Sequence, residues 1–133
     1  MPKPIILCVD DEKMILESIK RQLKDEFGQT YQYEFAENAE DAMELLEELE
    51  EDNEEILVLV SDWLMPGKKG DEFLMDVHKQ YPNMVKIMLT GQADDDAIER
   101  AKKQANIDRC LRKPWNDEEL VETIKSGLEK LGS

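Results

Sequence analysis

The sequence predicts an α/β protein with a doubly wound, five-stranded parallel sheet in the order 2-1-3-4-5 and five helices. Apolar strand-like runs alternate with amphipathic segments of helical period along the whole chain, which is typical of repeated βα units. Right-handed crossovers fold such units into a sheet that is covered by helices on both faces. In this strand order the switch point lies between strands 1 and 3, which is where ligands of open α/β sheets bind.

The first part of the chain predicts two strands and two helices. Ile5–Val9 is an uninterrupted apolar run, and the helix after it has apolar residues at every fourth position from Ile15 to Phe27. In residues 31–36, each aromatic side chain is followed by a polar or small one, and this alternation predicts a half-exposed edge strand. Asn38 is a suitable N-cap for a second helix. The apolar face of that helix consists of Ala42, Leu45, Leu46 and Leu49.

The second part of the chain predicts the remaining three units. The third strand, Ile56–Ser61, is nearly all apolar, as expected for a strand that helices cover on both faces. Phe73, Leu74 and Val77 place the third helix, and Tyr81-Pro82 ends it. The fourth strand is Val85–Leu89, and the fifth is Cys110–Arg112.

The two last helices differ in their predicted anchoring. Asp94–Asp96 place three carboxylates at the start of the fourth helix, where the helix dipole favours them. Because its apolar residues are mostly alanines, we expect this helix to be lightly anchored. Asn116 and Glu119 form an N-terminal capping pair for the fifth helix, which has a leucine-rich inner face.

Composition and charge exclude several classes of function. The 133 residues suffice for one domain with a core, and the net charge of −15 opposes direct binding to nucleic acid or to an anionic membrane. No apolar run approaches the length of a membrane span and no secretory signal opens the chain, so the expected location is the cytoplasm. Cys8 and Cys110 lie on non-adjacent predicted strands, so we expect two free thiols.

Residues suited to phosphate or metal chemistry follow four of the five strands. Asp10 and Asp11 follow strand 1, Asp62 follows strand 3, Thr90 follows strand 4 and Lys113 follows strand 5. Carboxylates that share one crevice repel one another unless a cation lies among them, and oxygen ligands favour a hard ion such as Mg²⁺. The set therefore predicts magnesium-assisted phosphoryl chemistry, with the Asp62 carboxylate as the candidate nucleophile.

Each of these residues also has a structural interpretation when it is taken alone. Asp11 could cap the first helix, Thr90 could be a turn residue, and Lys113-Pro114 could be a loop. Their joint occurrence at successive strand ends favours a shared site. Two other kinds of α/β protein fit this sequence less well. A flavin mononucleotide site needs a Ser/Thr/Gly-rich loop after strand 1, and a haloacid-dehalogenase-like phosphohydrolase needs Asp-x-Asp there.

The residues at these strand ends resemble the receiver domain of two-component response regulators over essentially the whole chain. The motifs are Val9–Glu12, Asp62–Pro66 with Gly70, Leu89–Gly91 and Lys113-Pro114. Each is modest alone, but together and in this order they are highly specific. The resemblance implies a flavodoxin-like fold and a signalling switch rather than a multiple-turnover enzyme.

The resemblance also implies a role for each acidic residue. Asp62 matches the phosphoacceptor, which takes a phosphoryl group from a histidine kinase or phosphotransfer protein. Asp10 and Asp11 match the acidic pair that places Mg²⁺, Asp11 directly and Asp10 mainly through water. The backbone carbonyl of Leu64, two residues after the acceptor, completes the protein ligands together with Asp62.

The residues after strands 4 and 5 match the sensing part of the family's site. Thr90 corresponds to the switch hydroxyl and Lys113 to the lysine that pairs with the phosphoryl group, and the Lys113-Pro114 bond is expected to be cis. The family usually has tyrosine or phenylalanine three residues before this lysine, where this chain has Cys110. The usual coupling from the threonine to an aromatic ring therefore lacks its ring.

The expected organisation is one receiver domain over residues 1–133, either as a stand-alone regulator or as the N-terminal part of a longer one. Its output domain or partner protein is unknown from the sequence. The resemblance is compatible with a homodimer formed through the fourth helix and fifth strand. Two alternatives stay open, namely a magnesium-dependent phosphohydrolase with an aspartyl-phosphate intermediate and a degenerate receiver that acts without phosphorylation.

Overall fold

A computed structural model describes residues 4–52, 54–62, 70–81, 84–90, 96, 99, 103, 109–112 and 117–132. The strands are β1 (Ile5–Val9), β2 (Gln32–Ala36), β3 (Ile56–Asp62), β4 (Val85–Thr90) and β5 (Arg109–Arg112). They form one five-stranded sheet in the order β2-β1-β3-β4-β5, and every neighbouring pair is parallel. The predicted fold class and strand order are therefore confirmed.

Four helices are described beside this sheet. They are α1 (Lys13–Phe27), α2 (Ala39–Glu51), α3 (Gly70–Gln80) and the C-terminal helix (Asp117–Gly132). Of the predicted fourth helix only Asp96, Glu99 and Lys103 are described, and all three are helical and exposed. The light anchoring expected of that helix and the Asn116 cap concern residues outside the described ranges. No helix in the described part of the chain combines the length and apolarity that a membrane span requires.

The sheet has a core on each face. One core lies under α2 and α3 and includes Leu7, Leu59 and Met88. The other lies under α1 and the C-terminal helix and includes Cys8, Val60 and Ile87. Successive strand residues thus point to opposite faces, as strand geometry requires.

The C-terminal helix approaches the sheet closely at Gly127. A Cβ atom built on Gly127 would lie 2.6 Å from Val85 Cγ1, which is too close for a side chain. The glycine therefore lets this helix lie directly against β4. Lys125 of the same helix also forms an ion pair with Glu26 of α1.

The predictions for the edge strand, the second helix and the cysteines are confirmed. β2 lies at one edge of the sheet, and four of its five residues are half-buried. The Asn38 side chain caps α2, because its Oδ1 accepts a hydrogen bond of 2.7 Å from the Asp41 backbone N–H. Cys8 and Cys110 form no disulfide, and β3 and β4 separate their strands.

Candidate functional site

Three aspartates meet where β1 and β3 end. Val9 is paired with Ser61 across these strands, so the next residue of each strand, Asp10 and Asp62, lies at the same edge of the sheet. One carboxylate oxygen from each of Asp10, Asp11 and Asp62 lies within 4.8 Å of the others. We call these three residues the aspartate cluster. The structure thus brings together the three carboxylates that the sequence placed in one crevice.

The aspartate cluster is partly withdrawn from solvent. The Asp10 side chain is 0% exposed and Asp62 is 4% exposed, whereas Asp11 is exposed. Carboxylates this close repel one another strongly when they are buried, and a hard cation bound by their oxygens relieves that repulsion. The donor set and its spacing therefore fit a divalent ion such as Mg²⁺.

Asp10 also shapes the start of α1. Its Oδ1 accepts a hydrogen bond of 2.9 Å from the Glu12 backbone N–H, and its own N–H donates to the Ala36 carbonyl at 3.1 Å. The N-cap residue of α1 is Glu12, and the Glu12 side chain makes no capping hydrogen bond. Asp11 is therefore not a helix cap, which removes the structural interpretation of that residue. The sequence did not predict the turn made by Asp10, because the pattern alone does not say which of the two adjacent carboxylates, Asp10 or Asp11, accepts the hydrogen bond.

Thr90 lies near Asp62, on β4, which flanks β3 on the side opposite to β1. Asp62 is paired with Leu89 of β4, so Thr90 is one residue beyond that pair, and its side chain is 2% exposed. Thr90 is paired with Arg112, the last residue of β5, and Lys113 follows directly in the chain. Lys113 and Leu64 lie outside the described residues, so their predicted roles stay predictions.

Two buried residues adjoin the cluster without belonging to the predicted set. Ser61 is fully buried, and its hydroxyl donates a hydrogen bond of 3.1 Å to the Asp62 carbonyl. Burial, and secondly the negative charge of Asp10, raises the pKa of the Cys8 thiol. Cys8 therefore stays a neutral core side chain. The sequence signal for Ser61 was a single polar residue in an otherwise apolar run.

Cys110 occupies the position where the resemblance expects an aromatic ring. It is paired with Met88 across β4 and β5 and is half-buried against the core under α2 and α3. A thiol fills far less space than a phenol or phenyl ring. The side chain at this position thus lacks the size to alternate between two distant rotamers.

The sequence matches the profile described as the response regulator receiver domain over residues 6–125. The match covers most of the chain, which therefore belongs to the response regulator receiver domain family.

Solved structures share both the fold and part of the sequence. The signal receiver domain of an HD domain-containing protein from Pseudomonas fluorescens Pf-5 has a TM-score of 0.85 and 33% identity, with 96% of each chain covered. A CheY-like response regulator receiver domain protein from Methanospirillum hungatei JF-1 has a TM-score of 0.84 and 34% identity, with 96% of this chain and 95% of that chain covered.

A curated relative is much longer than this chain. The hydrogenase transcriptional regulatory protein HoxA of Cupriavidus necator is 30% identical over 127 residues, which cover 96% of this chain and 24% of the relative. The chain thus spans about a quarter of the length of the curated relatives it matches.

Proposed function

We propose that Asp62 is the phosphoacceptor of this receiver domain and that its phosphorylation switches the partners that the domain binds. The observation that carries the proposal is the convergence of Asp10, Asp11 and Asp62 within 4.8 Å at the carboxyl ends of β1 and β3. A carboxylate oxygen of Asp62 forms a bond to phosphorus while the bond from phosphorus to the donor breaks. The electron pair of that bond leaves with the donor, which is a phosphohistidine of a histidine kinase or phosphotransfer protein.

In this proposal the aspartate cluster would hold Mg²⁺. Asp11 and Asp62 would bind the ion directly and Asp10 mainly through water, and the backbone carbonyl of Leu64 would complete the protein ligands. A bound Mg²⁺ supplies positive charge that offsets the repulsion between the carboxylates and the incoming phosphoryl oxygens. The Asp10 turn to Glu12 holds one ligand rigidly, while the exposed Asp11 leaves the site open to solvent and to the donor.

The sensing residues of the proposal are Thr90 and Lys113. Thr90 lies one residue beyond the pair of Asp62 and Leu89, and this register supports a role for its hydroxyl beside a phosphoryl group on Asp62. Lys113 follows β5 and pairs with the same group. Since Cys110 replaces the usual aromatic ring, we propose that the output depends on movement of the segments after β4 and β5 themselves.

In this proposal the protein acts as a signalling domain rather than as a multiple-turnover enzyme. Residues 1–133 form one receiver domain, alone or as the N-terminal part of a longer regulator whose output is unknown. A homodimer through the fourth helix and β5 is one form that the switched state could take. The length of the HoxA relative supports a further domain in some members of the family.

Intact-mass spectrometry tests the proposal. The protein is incubated with Mg²⁺ and acetyl phosphate, and we expect one phosphoryl adduct that is stable to acid and labile to base. Asp62→Asn should abolish the adduct, whereas the matched control Asp25→Asn, which changes an exposed aspartate of α1, should leave it unchanged. Addition of beryllofluoride should also change the fluorescence of Trp63 and Trp115, which neighbour the site in the sequence.

Other outcomes would support the alternatives. Repeated turnover of a phosphomonoester that depends on Asp62 would indicate a phosphohydrolase. Absence of any adduct with folded protein and saturating Mg²⁺ would indicate a degenerate receiver. An adduct that persists in Asp62→Asn would contradict the assignment of the acceptor.

A further inference from the structure

A second concave feature lies at the sheet edge beside the aspartate cluster. It is a cleft of about 470 Å³ between α1, the end of β2 and α2. Its floor is apolar and consists of Leu16, Phe35, Ala36 and Leu45. Leu16 and Ala36 are buried, whereas Phe35 and Leu45 are only half-buried and leave apolar surface accessible.

The rim of this cleft is acidic throughout. Its charged residues are Glu37, Asp41, Glu44 and Glu48, all of them exposed. The last three recur at helical spacing, so they form a stripe of like charge along one side of α2. Every charged residue of α2 is acidic, and its last turn contains no basic side chain. Like charges at this spacing oppose helix formation slightly, and a bound cationic group relieves that opposition.

The rim carboxylates do not form a metal site. Within the described residues, the only group of three or more acidic side chains close enough to share an ion is Asp10, Asp11 and Asp62. The rim charges are therefore spaced along the cleft rather than directed at one point. Such spacing suits several separate cationic groups, as a peptide supplies, better than one ion.

In the described part of the chain, little of the negative charge on the rim is offset by neighbouring basic or hydrogen-bonding groups. Lys13 Nζ lies 3.7 Å from Glu37 Oε1, but these side chains are 81% and 51% exposed, so the pair is weak and easily displaced. Asp41 accepts a hydrogen bond from the Asn38 amide at 3.2 Å. Within the described residues, the carboxylates of Glu44 and Glu48 form no hydrogen bond or ion pair with another side chain. Two carboxylates thus remain available along the side of the cleft that α2 forms.

We propose that this cleft binds a basic amphipathic segment of a partner protein, with an apolar side chain on the floor and lysine or arginine side chains against the rim. The sign of the rim opposes nucleic acid and anionic membranes. A second copy of this chain is disfavoured as well, because its 32 acidic residues outnumber its 17 basic ones. Lys20 already lies 5.9 Å from the Phe35 ring centroid, which demonstrates that this ring tolerates a cation beside it.

The cleft adjoins the aspartate cluster through the backbone. Ala36 lines the cleft, and its carbonyl accepts the hydrogen bond from the Asp10 N–H. A segment bound in the cleft would therefore hold the rest of its protein next to the end of β1. The proposal does not depend on phosphorylation of Asp62, because none of the cleft residues belongs to the aspartate cluster.

Amide chemical-shift mapping with a synthetic probe tests the proposal. The probe is a short lysine–leucine peptide of helical period, and a peptide with serine in place of leucine is its control. We expect the largest shifts at residues 35–37 and 41–48, and clearly weaker binding of the serine peptide. The double variant Glu44→Gln/Glu48→Gln should weaken binding about fivefold.

The matched control is Glu47→Gln/Glu51→Gln, which removes the same charge from residues of α2 that do not line the cleft. This control should bind the probe within about twofold of the parent protein. Equal weakening by both double variants would overturn the proposal, because it would indicate attraction to the acidic surface in general. Equal affinity for the serine peptide would overturn it too. Both double variants should still accept phosphate from acetyl phosphate, which separates this test from that of Asp62.

Discussion

Two acidic regions of this domain use the same kind of side chain in opposite ways. In the aspartate cluster, three carboxylate oxygens lie within 4.8 Å of one another and two of the side chains are buried. Along the cleft beside α2, four exposed carboxylates are spread over a helix face and a strand end.

The difference between the regions lies in convergence and burial rather than in the number of charges. Converging buried carboxylates interact strongly with one another, so the positive charge near them has a large effect on their energy. Exposed carboxylates in water interact weakly and are screened by salt. We therefore expect substitutions in the aspartate cluster to change chemistry, and substitutions along the cleft to change only binding and stability by small amounts.

The largest effect is expected from Asp11→Asn. Asp11 is exposed and does not cap α1, so the substitution should leave the fold intact. Loss of this proposed metal ligand should slow phosphorylation by acetyl phosphate about 100-fold at a fixed Mg²⁺ concentration. The rate is measured by intact mass against time. Glu44→Gln serves as the control, and a similar slowing in both variants would remove the distinction between the two regions.

Two substitutions at Asp10 distinguish the contribution of its charge from that of its hydrogen bond to the Glu12 N–H. Asp10→Asn keeps an Oδ1 acceptor for the Glu12 N–H but removes the charge, so Mg²⁺ binding should weaken about tenfold, while relief of the repulsion should raise the free energy of unfolding of the metal-free protein. Asp10→Ala removes both the charge and the acceptor, so its free energy of unfolding should lie about 1 kcal/mol below that of Asp10→Asn. Tryptophan fluorescence measures the Mg²⁺ titration, and urea denaturation measures the unfolding. Equal unfolding free energies for the two variants would contradict the structural role.

Glu50 shows a third use of a carboxylate, because it accepts a hydrogen bond from a phenol. The Tyr81 hydroxyl donates a hydrogen bond of 2.8 Å to Glu50 Oε2, which joins the ends of α3 and α2. Burial, and secondly this hydrogen bond, raises the pKa of Tyr81 to about 12.

The direction of the pH dependence follows from that raised pKa. The phenol keeps its proton longer in the folded state, so its contribution to stability is present below about pH 10, the usual tyrosine pKa, and is lost as the pH rises toward 12. Tyr81→Phe should cost about 0.5 kcal/mol at pH 8 and flatten the decline between pH 10 and 12. Tyr31→Phe is the control, and an unchanged alkaline decline in Tyr81→Phe would contradict this assignment.

The smallest effect concerns the acidic stripe of α2. Glu44→Gln/Glu48→Gln should raise the free energy of unfolding by about 0.2–0.5 kcal/mol at low ionic strength, because like charges one turn apart repel each other. The gain should disappear in high salt. Urea denaturation at two salt concentrations measures it. A gain that persists in high salt would indicate that these glutamates are not simply solvent-exposed charges.

Sequence pattern sufficed for the strand order and for the position of the site, because both follow from local regularities. Apolar runs of strand length and helical spacing predict five βα units, and the crossover rule then sets which strand ends meet. Asp10 and Asp62 were placed together on that ground alone. The Asn38 cap was predictable for the same reason, since a cap is a contact between neighbours in the chain.

Features that depend on tertiary contacts were not predictable from the pattern. Lys86 is fully buried in β4, and its Nζ donates a hydrogen bond of 2.8 Å to the Met84 carbonyl, although a lysine in an apolar run ordinarily indicates an exposed position. The cleft could not be predicted from the sequence either, because α1, β2 and α2 each supply only part of its lining.

Chemical trapping of the phosphoryl group tests the central claim most directly. The protein is phosphorylated with acetyl phosphate and Mg²⁺ and then treated with borohydride, which reduces an acyl phosphate to an alcohol, and the altered residue is located by peptide mass spectrometry. Our account predicts modification of Asp62 alone. Modification of Glu44, Glu48 or any other carboxylate outside the aspartate cluster, with Asp62 unchanged, would contradict it.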